Sequence, residues 1–493
     1  MNQSKVASSF AFKFLERLSV KAIGLVISIV LARLLEPETF GLLALIAIFV
    51  NLANTFVQSG FGTALVQNQS TKEDDYSTVF FLVFGIASFF TVLLFLVAPF
   101  VAQYYNNDML IWPLRVLSFS LPFGALNSIQ TAKLQREMRF KTLMRCNLMA
   151  AIISGTIGAV AAYRGAGLWA LVMYNLSQII SVSVCMLFVA KWHPKWIFSL
   201  ERAKVFFSFG WKMLVSGLLC SLYYDIRALI IGRRYSTADL AYYSKGQQYP
   251  DLIEKTINES IQSVMLPVMS RAQDSKEVLN ATLLRTISTS MFGVIPTMLG
   301  LASVSETLIP LLLTEKWTTC IPLLCIFCLG NMVGPIQSSN LSILKAKGRS
   351  DLYMKVEWIR RIVMIITLFI TVFAFDSVMV IALGYALGFW LDAYIIVMAV
   401  KKLTGIGWLK QLLHTWKSFL AGAIMAVVVY FLGRLEIHAL VKLIVQMGVG
   451  ALIYVLTSIL LKNEVLLTGK DIIFNFFKNR YSKNEKKKGE ERM

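Results

Sequence analysis

From residue 11 to residue 461 the chain moves from one apolar run to the next across short polar connections. Nothing else in the sequence limits the fold as strongly. About 20 residues at 1.5 Å rise span the roughly 30 Å hydrocarbon core of a bilayer, and most of these runs reach that length. Backbone groups in hydrocarbon must be satisfied within the protein. Runs of this length are therefore helices, since a spanning strand needs only about 10 residues. Hydropathy separates about fourteen of them, near 11–34, 40–66, 78–102, 110–132, 146–163, 167–190, 205–231, 238–268, 280–312, 319–344, 353–375, 378–400, 415–433 and 437–461. The eighth is the least apolar and is open to being shorter or interrupted. The 57% hydrophobic content agrees with an all-α polytopic membrane protein. No loop exceeds about 20 residues, too few for an extramembrane catalytic domain. The first run is long, is charged along one face and lacks a small-residue cleavage site, so a cleavable signal peptide is not expected.

Loop charge sets the orientation. With the N-terminus inside, the inward loops and ends carry about 30 Lys and Arg and the outward loops about six, which places both termini in the cytoplasm. The net charge of +20 then reads as attraction to lipid head groups, and nucleic acid is not an expected partner. Residues 462–493 form a basic tail whose DIIFNFF segment (471–477) suits a membrane-surface anchor. Cys320, Cys325 and Cys328 share an iron–sulfur-like spacing but sit in an apolar run without a fourth thiol, so small core residues are expected there. His193, His414 and His438 are isolated, and neither a metal site nor a cofactor is expected.

The first run carries Lys13, Arg17 and Lys21 at i, i+4 and i+8, all on one helical face. If hydrocarbon begins near Phe10, Lys21 lies roughly 16 Å in. Each cation facing lipid at that depth costs about 2.5–3.5 kcal/mol, so the face must look into protein or water. Two readings stay open: snorkelling toward the cytoplasmic surface, or the lining of a hydrated cationic cavity.

Weak repetition favours the cavity. SFAFK (9–13) answers to SFGWK (208–212), ARLLEPETFGLLAL (32–45) to GRRYSTADLAYYSK (232–245), and WPLRVLSFSLPFGALNSIQTAKL (112–134) to IPLLCIFCLGNMVGPIQSSNLSIL (321–344). Six spans per half make the repeats parallel, giving two pseudo-symmetric six-helix lobes, residues 1–200 and 201–402. Two extra helices (403–461) and the tail (462–493) follow. The seventh run places Lys212, Ser216, Cys220, Tyr223 and Arg227 on one face, with Asp225 nearby. Asn51, Asn54 and Gln58 of the second run recur 204 positions later as Lys255, Asn258 and Gln262, flanked by Glu254 and Glu259. Helix-to-helix hydrogen bonding would also account for the amides. Glu16, Asp225, Glu254 and Glu259 are candidates for coupling to H⁺ or Na⁺, or for neutralising a neighbouring Lys or Arg.

A helix ending VLARLLEPETFGLLALIAIFVNLANTFVQSGFGTALVQ (30–67), together with LLTEKWTTCIPLL (312–324), resembles Wzx-type polysaccharide flippases, closest to the colanic and teichuronic acid branch of the multidrug/oligosaccharidyl-lipid/polysaccharide (MOP) superfamily. The likeness implies cavity-lining first, second, seventh and eighth helices, with Arg17, Lys21 and Lys255 at places where relatives use cations. It implies a lipid-linked oligosaccharide carried across a bacterial inner membrane for capsule, exopolysaccharide or O-antigen biosynthesis. Membrane lipids, and in some settings polysaccharide polymerase machinery, would be its partners. A wet cavity lined by Arg17, Lys21, Lys212, Arg227 and Lys255 would replace phosphate hydration with charge-assisted hydrogen bonds. The rival readings are a cation or drug antiporter of the same superfamily, which would want an anionic cavity, and a membrane polymerase or ligase, which would need long outward catalytic loops. The expected protein is a transporter and not an enzyme.

Overall fold

The described residues of this computed structural model are 21–58, 60–67, 71–190, 192–271 and 275–466, and they form helices joined by short turns, with no strand among them. Lys13, Glu16 and Arg17, and the tail from residue 467 on, lie outside the described residues. The chain divides into two compact units, with the seam between Ser244 and Lys245.

The first unit holds α1 (21–34), α2 (Pro37–Gln58), α3 (Phe61–Gln67), α4 (Glu73–Tyr105), the single turn η1 (Asp108–Leu110), α5 (Ile111–Ser118), α6 (Ser120–Arg136), α7 (Phe140–Tyr163), α8 (Leu168–Ala190) and α9 (Leu200–Arg234). Its core gathers Val57, Phe61, Leu65, Val83, Ile129 and Phe206, all buried. Small residues let α2 approach α9 and the turn beyond it. A Cβ on Gly41 would lie 1.7 Å from the Thr237 carbonyl oxygen, and one on Gly232 would lie 2.3 Å from Leu45 Cδ2. At the other end of α9, Ser199 caps the helix by accepting from Arg202 N at 3.4 Å. The Arg202 fork grips buried Asp75 with both oxygens engaged, its Nε donating at 2.6 Å.

The second unit takes α10 (Thr237–Arg271) from the seam onward, then α11 (Lys276–Leu313), the turn η2 (Glu315–Trp317), α12 (Cys320–Asn331), α13 (Gly334–Ala346), α14 (Ser350–Ala374), α15 (Val378–Thr404), α16 (Trp408–Leu432) and α17 (Ala439–Leu460). Met269, Leu283, Ile287, Ile336, Ile343 and Val397 centre its core. The GxxxG glycines face neighbouring helices of the same chain: Gly330 against Ala386, Gly384 against Thr371 and Gly388 against Met364.

The repeated sequence builds repeated backbone. Tyr235 N donates to Ile231 O at 2.9 Å as Leu35 N does to Leu31 O, closing α9 and α1 alike. A single 3₁₀ turn, η1 or η2, precedes each half's fourth span. Both of those spans, expected to be continuous over 110–132 and 319–344, are broken in two. The breaks lie at Phe119 and at Met332–Val333, each beginning three residues before a proline, Pro122 or Pro335. Proline has no N–H for the carbonyl four residues back and its ring crowds that group. The carbonyl Pro122 leaves free, on Ser118, accepts instead from Thr91 Oγ1 at 3.1 Å. Each broken span then ends in a left-handed residue, Met138 (φ 55°) or Gly348 (φ 64°). The matching bonds are Arg139 N to Leu134 O at 2.9 Å and Arg349 N to Leu344 O at 3.0 Å.

Among the described residues, 10 segments are long and apolar enough to span a membrane: α2, α4, Asp108–Arg136, α7, α8, α11, Cys320–Ala346, α15, α16 and α17. The remaining expected spans fall on α1, described from residue 21 only, and on α9, α10 and α14. These helices form, and α10 runs uninterrupted through the eighth expected span. On two of them charges interrupt the apolar run: Asp251, Glu254 and Lys255 on α10, and Glu357, Arg360 and Arg361 on α14. Such helices need protein or water beside them.

Candidate functional site

In the second unit, α10 lies against the broken helix α12–α13, and Gly334 sets the spacing. A Cβ there would sit 2.7 Å from Glu254 Oε1 and 3.0 Å from Asn258 Nδ2. Two polar chains use the room. Lys255 Nζ donates to Asp251 Oδ2 at 3.2 Å, and Asn331 Nδ2 donates to Asp251 Oδ1 at 2.9 Å. Ser338 Oγ donates to Asn258 Oδ1 at 3.1 Å, and Asn258 Nδ2 in turn donates to Glu254 Oε1. Asn331 Oδ1, fully buried at the break, finds no partner among the described residues. The arrangement ties the Lys255 ammonium to Asp251 while leaving 60% of the lysine side chain accessible. A cation so presented can meet an anion, with acceptors behind it that suit a proton or small cation.

A second ionic group bridges α14 and α15. Arg360 engages Asp392 with both ends of its fork, Nη2 to Oδ2 at 2.5 Å, and donates from Nη1 to Glu357 Oε1 at 2.6 Å. Arg361 reaches Glu357 Oε2 at 3.5 Å. Side-chain exposures of 12% for Arg360 and 8% for Asp392 make this a buried, saturated cluster that positions helices and offers no free charge.

In the first unit, Gln58 Nε2 donates to Asn54 Oδ1 at 3.1 Å, and Asn51 is exposed one turn away. Asn54 faces Gly124 of the broken α6, where a Cβ would lie 3.5 Å from its Oδ1. On α9, Arg227 is buried at 4% exposure, and Asp225 accepts from Ser221 Oγ at 3.2 Å. Lys21 is half-buried at the start of α1. Lys212, Glu259 and Gln262 lie on described helices, but their side chains are outside what the structure describes.

Of the sequence-predicted residues, the structure therefore joins Glu254 with Asn258, and Asn54 with Gln58. It adds Asp251 and, through it, Asn331 to Lys255, and Ser338 to Asn258. The i, i+4 spacing of Asp251 and Lys255 was a usable signal for the first of these. Asn331 and Ser338 had only the proline after the break to mark them. Arg360 and Asp392, 32 residues apart, had no local signal.

Against this geometry stand the comparisons with known proteins. Residues 30–322 match the family described as polysaccharide biosynthesis protein. The chain belongs to that family. Curated relatives include the teichuronic acid biosynthesis protein TuaB of Bacillus subtilis, 26% identical over 421 residues, covering 82% of this chain and 84% of TuaB. The lipopolysaccharide biosynthesis protein WzxC of Escherichia coli is 24% identical over 444 residues, covering 87% and 88%. The succinoglycan biosynthesis transport protein ExoT of Rhizobium meliloti is 23% identical over 483 residues, covering 94% and 95%. Among solved structures, the lipid II flippase MurJ in an inward closed conformation superposes with a TM-score of 0.75 at 16% identity, covering 92% of this chain and all of that one. An inward-facing multidrug resistance MATE transporter of the MOP superfamily gives 0.59 at 13% identity, covering 84% and 98%. These likenesses establish the fold: this member of the polysaccharide biosynthesis family is a multi-pass, all-α membrane protein with the MOP architecture.

Proposed function

We propose that this protein flips an anionic, lipid-linked oligosaccharide from the cytoplasmic to the outer leaflet of a bacterial inner membrane, by alternating access. The observation that carries the reading is Lys255, held by Asp251 beside a broken helix yet mostly accessible, on a helix too polar to face lipid. A diphosphate-linked glycan cannot cross hydrocarbon unaided, since burying its charge would cost tens of kcal/mol. Cations on a wet surface remove that barrier by substituting for phosphate hydration. The prenyl tail can stay in lipid throughout. Moving two negative charges outward in an inside-negative cell gains roughly 4–5 kcal/mol at 100 mV. Membership of a polysaccharide biosynthesis family supports the substrate class.

Arg17, Lys21, Lys212 and Arg227 complete the cationic set in this reading, with Lys13, Asn51, Asn54, Gln58, Asn258 and Gln262 as polar lining. Glu254, bonded to Asn258 beside Gly334 of the broken helix, leads Glu16, Asp225 and Glu259 as the group for a coupled cation. Both termini face the cytoplasm, the polar helices complete fourteen spans, and polysaccharide polymerase machinery receives the product. The test is deletion in the native host. Lipid-linked repeat units should accumulate on the cytoplasmic leaflet while surface polymer falls. Normal polymer with no such accumulation overturns the proposal, and transport of cationic dyes in its place would move the protein to the antiporter class.

A further inference from the structure

At the starts of α11 and α16 and just beyond α17, a cavity of about 880 Å³ is lined by Arg285, Ser288, Thr289, His414 and Lys417, with Glu464 on its wall. Leu413 and Trp416 line it too, and the same two side chains line an apolar groove of about 660 Å³. The two spaces thus meet at these side chains, one polar and the other greasy. The groove follows one face of α16 through Leu409, Leu412, Phe419 and Ala423, over Leu299 and Trp390 from α11 and α15. Fourteen residues of helix cover about 21 Å, more than the depth of one leaflet's hydrocarbon.

The charged end is built to meet an anion. Arg285 is exposed and forms no ion pair among the described residues. Lys417 Nζ spends one donor on Lys462 O at 3.0 Å, which fixes the ammonium in place and leaves two N–H groups. Ser288 Oγ and Thr289 add hydroxyls on the same wall, the former bonding His414 O at 3.5 Å. A soluble anion would have no use for the adjoining groove.

We propose that this composite site binds one anionic glycerophospholipid, its phosphate between Arg285 and Lys417 and an acyl chain along α16. On the orientation argued above, the site faces the inner leaflet, where basic pockets between helices attract such head groups. The site is independent of Lys255 and of the transported substrate.

The test is native mass spectrometry of the detergent-purified full chain, titrated with phosphatidylglycerol, cardiolipin and phosphatidylcholine. The anionic lipids should bind at least tenfold tighter than phosphatidylcholine. Arg285→Ala, which removes an exposed side chain, should weaken them about fivefold, and Arg285→Ala with Lys417→Ala about twentyfold. Arg285→Lys should restore most of the loss, and Arg349→Ala with Lys355→Ala should change nothing. Equal retention by the wild type, Arg285→Ala and the Arg285→Ala, Lys417→Ala double variant overturns the proposal. Displacement by millimolar inorganic phosphate overturns it in favour of a free-anion site. Preferential displacement by undecaprenyl phosphate overturns it in favour of a substrate site.

Discussion

Lys255 and Arg360 are both cations on helices of the second unit, and the structure predicts opposite consequences for losing them. Lys255 is 60% accessible and its partner Asp251 is 20% accessible. Breaking an exposed pair of that kind costs about 0–1 kcal/mol, so Lys255→Ala should fold and accumulate like the wild type. If its ammonium meets a substrate phosphate, the lost charge-assisted bond is worth about 1.5–3 kcal/mol, which slows export roughly ten- to hundredfold. Lys255→Arg should retain most of the activity, whereas Lys255→Glu should fall below Lys255→Ala, since repulsion is added to lost attraction. Arg360→Ala instead leaves Asp392 buried and uncompensated, at a cost of about 3–5 kcal/mol, and protein abundance should collapse before any transport defect can be seen. The assay is complementation of a deletion strain, scoring surface polymer and cytoplasmic-leaflet repeat units per molecule of protein on an immunoblot. Wild-type export by Lys255→Ala and Lys255→Glu at equal abundance would refute the anion-binding role. Undiminished abundance of Arg360→Ala would refute the burial argument.

Gly334→Ala places a Cβ within 2.7 Å of Glu254 Oε1, so it should split the Glu254–Asn258 chain at a cost of about 1–3 kcal/mol and lower both thermal stability and export; unchanged melting in detergent would contradict the packing. Cysteines at Leu45 and Gly232, whose side-chain positions meet across α2 and α9, should form a disulfide that blocks export until reduced; full export while oxidised would mean that this contact stays closed throughout the cycle. Cysteines replacing Asn107 and Asp376 should react with an impermeant maleimide from outside, and one replacing Arg139 should not; reversed labelling would invert the topology. Lys21→Glu should impair export more than Lys21→Ala, and normal export by both would return the first helix to simple snorkelling.

Most of the helices were legible in the sequence because their apolar runs are long and most of the charge lies between them. The breaks in the fourth and tenth expected spans were not, because a proline in an apolar run leaves hydropathy unchanged while removing one backbone donor. The stripe on α10 was legible as Glu254, Lys255 and Asn258, since helical spacing alone puts them together. Its anchor at Asn331 depends on where the break turns that side chain, and no local pattern carries this. The Arg360–Asp392 clamp was invisible for the same reason, being made by two helices meeting and not by either one.

The repeat gives those contacts a further meaning. Asn54 and Asn258 stand 204 positions apart, and each lies against a glycine of a broken helix, Gly124 in one half and Gly334 in the other. The scaffold is shared, but its chemistry has diverged. Around Asn54 the partner is the neutral Gln58. Asn258 is bonded instead to the carboxylate of Glu254, and the Asp251–Lys255 pair lies on the same helix. A neutral amide pair within α2 is indifferent to which ion is present, whereas a cluster of two carboxylates, an accessible ammonium and an unpartnered amide oxygen responds to both anions and cations. Any coupling of substrate to an ion should therefore be sought first at the α10–α13 contact, where the geometry that is neutral in the first half has been given charge.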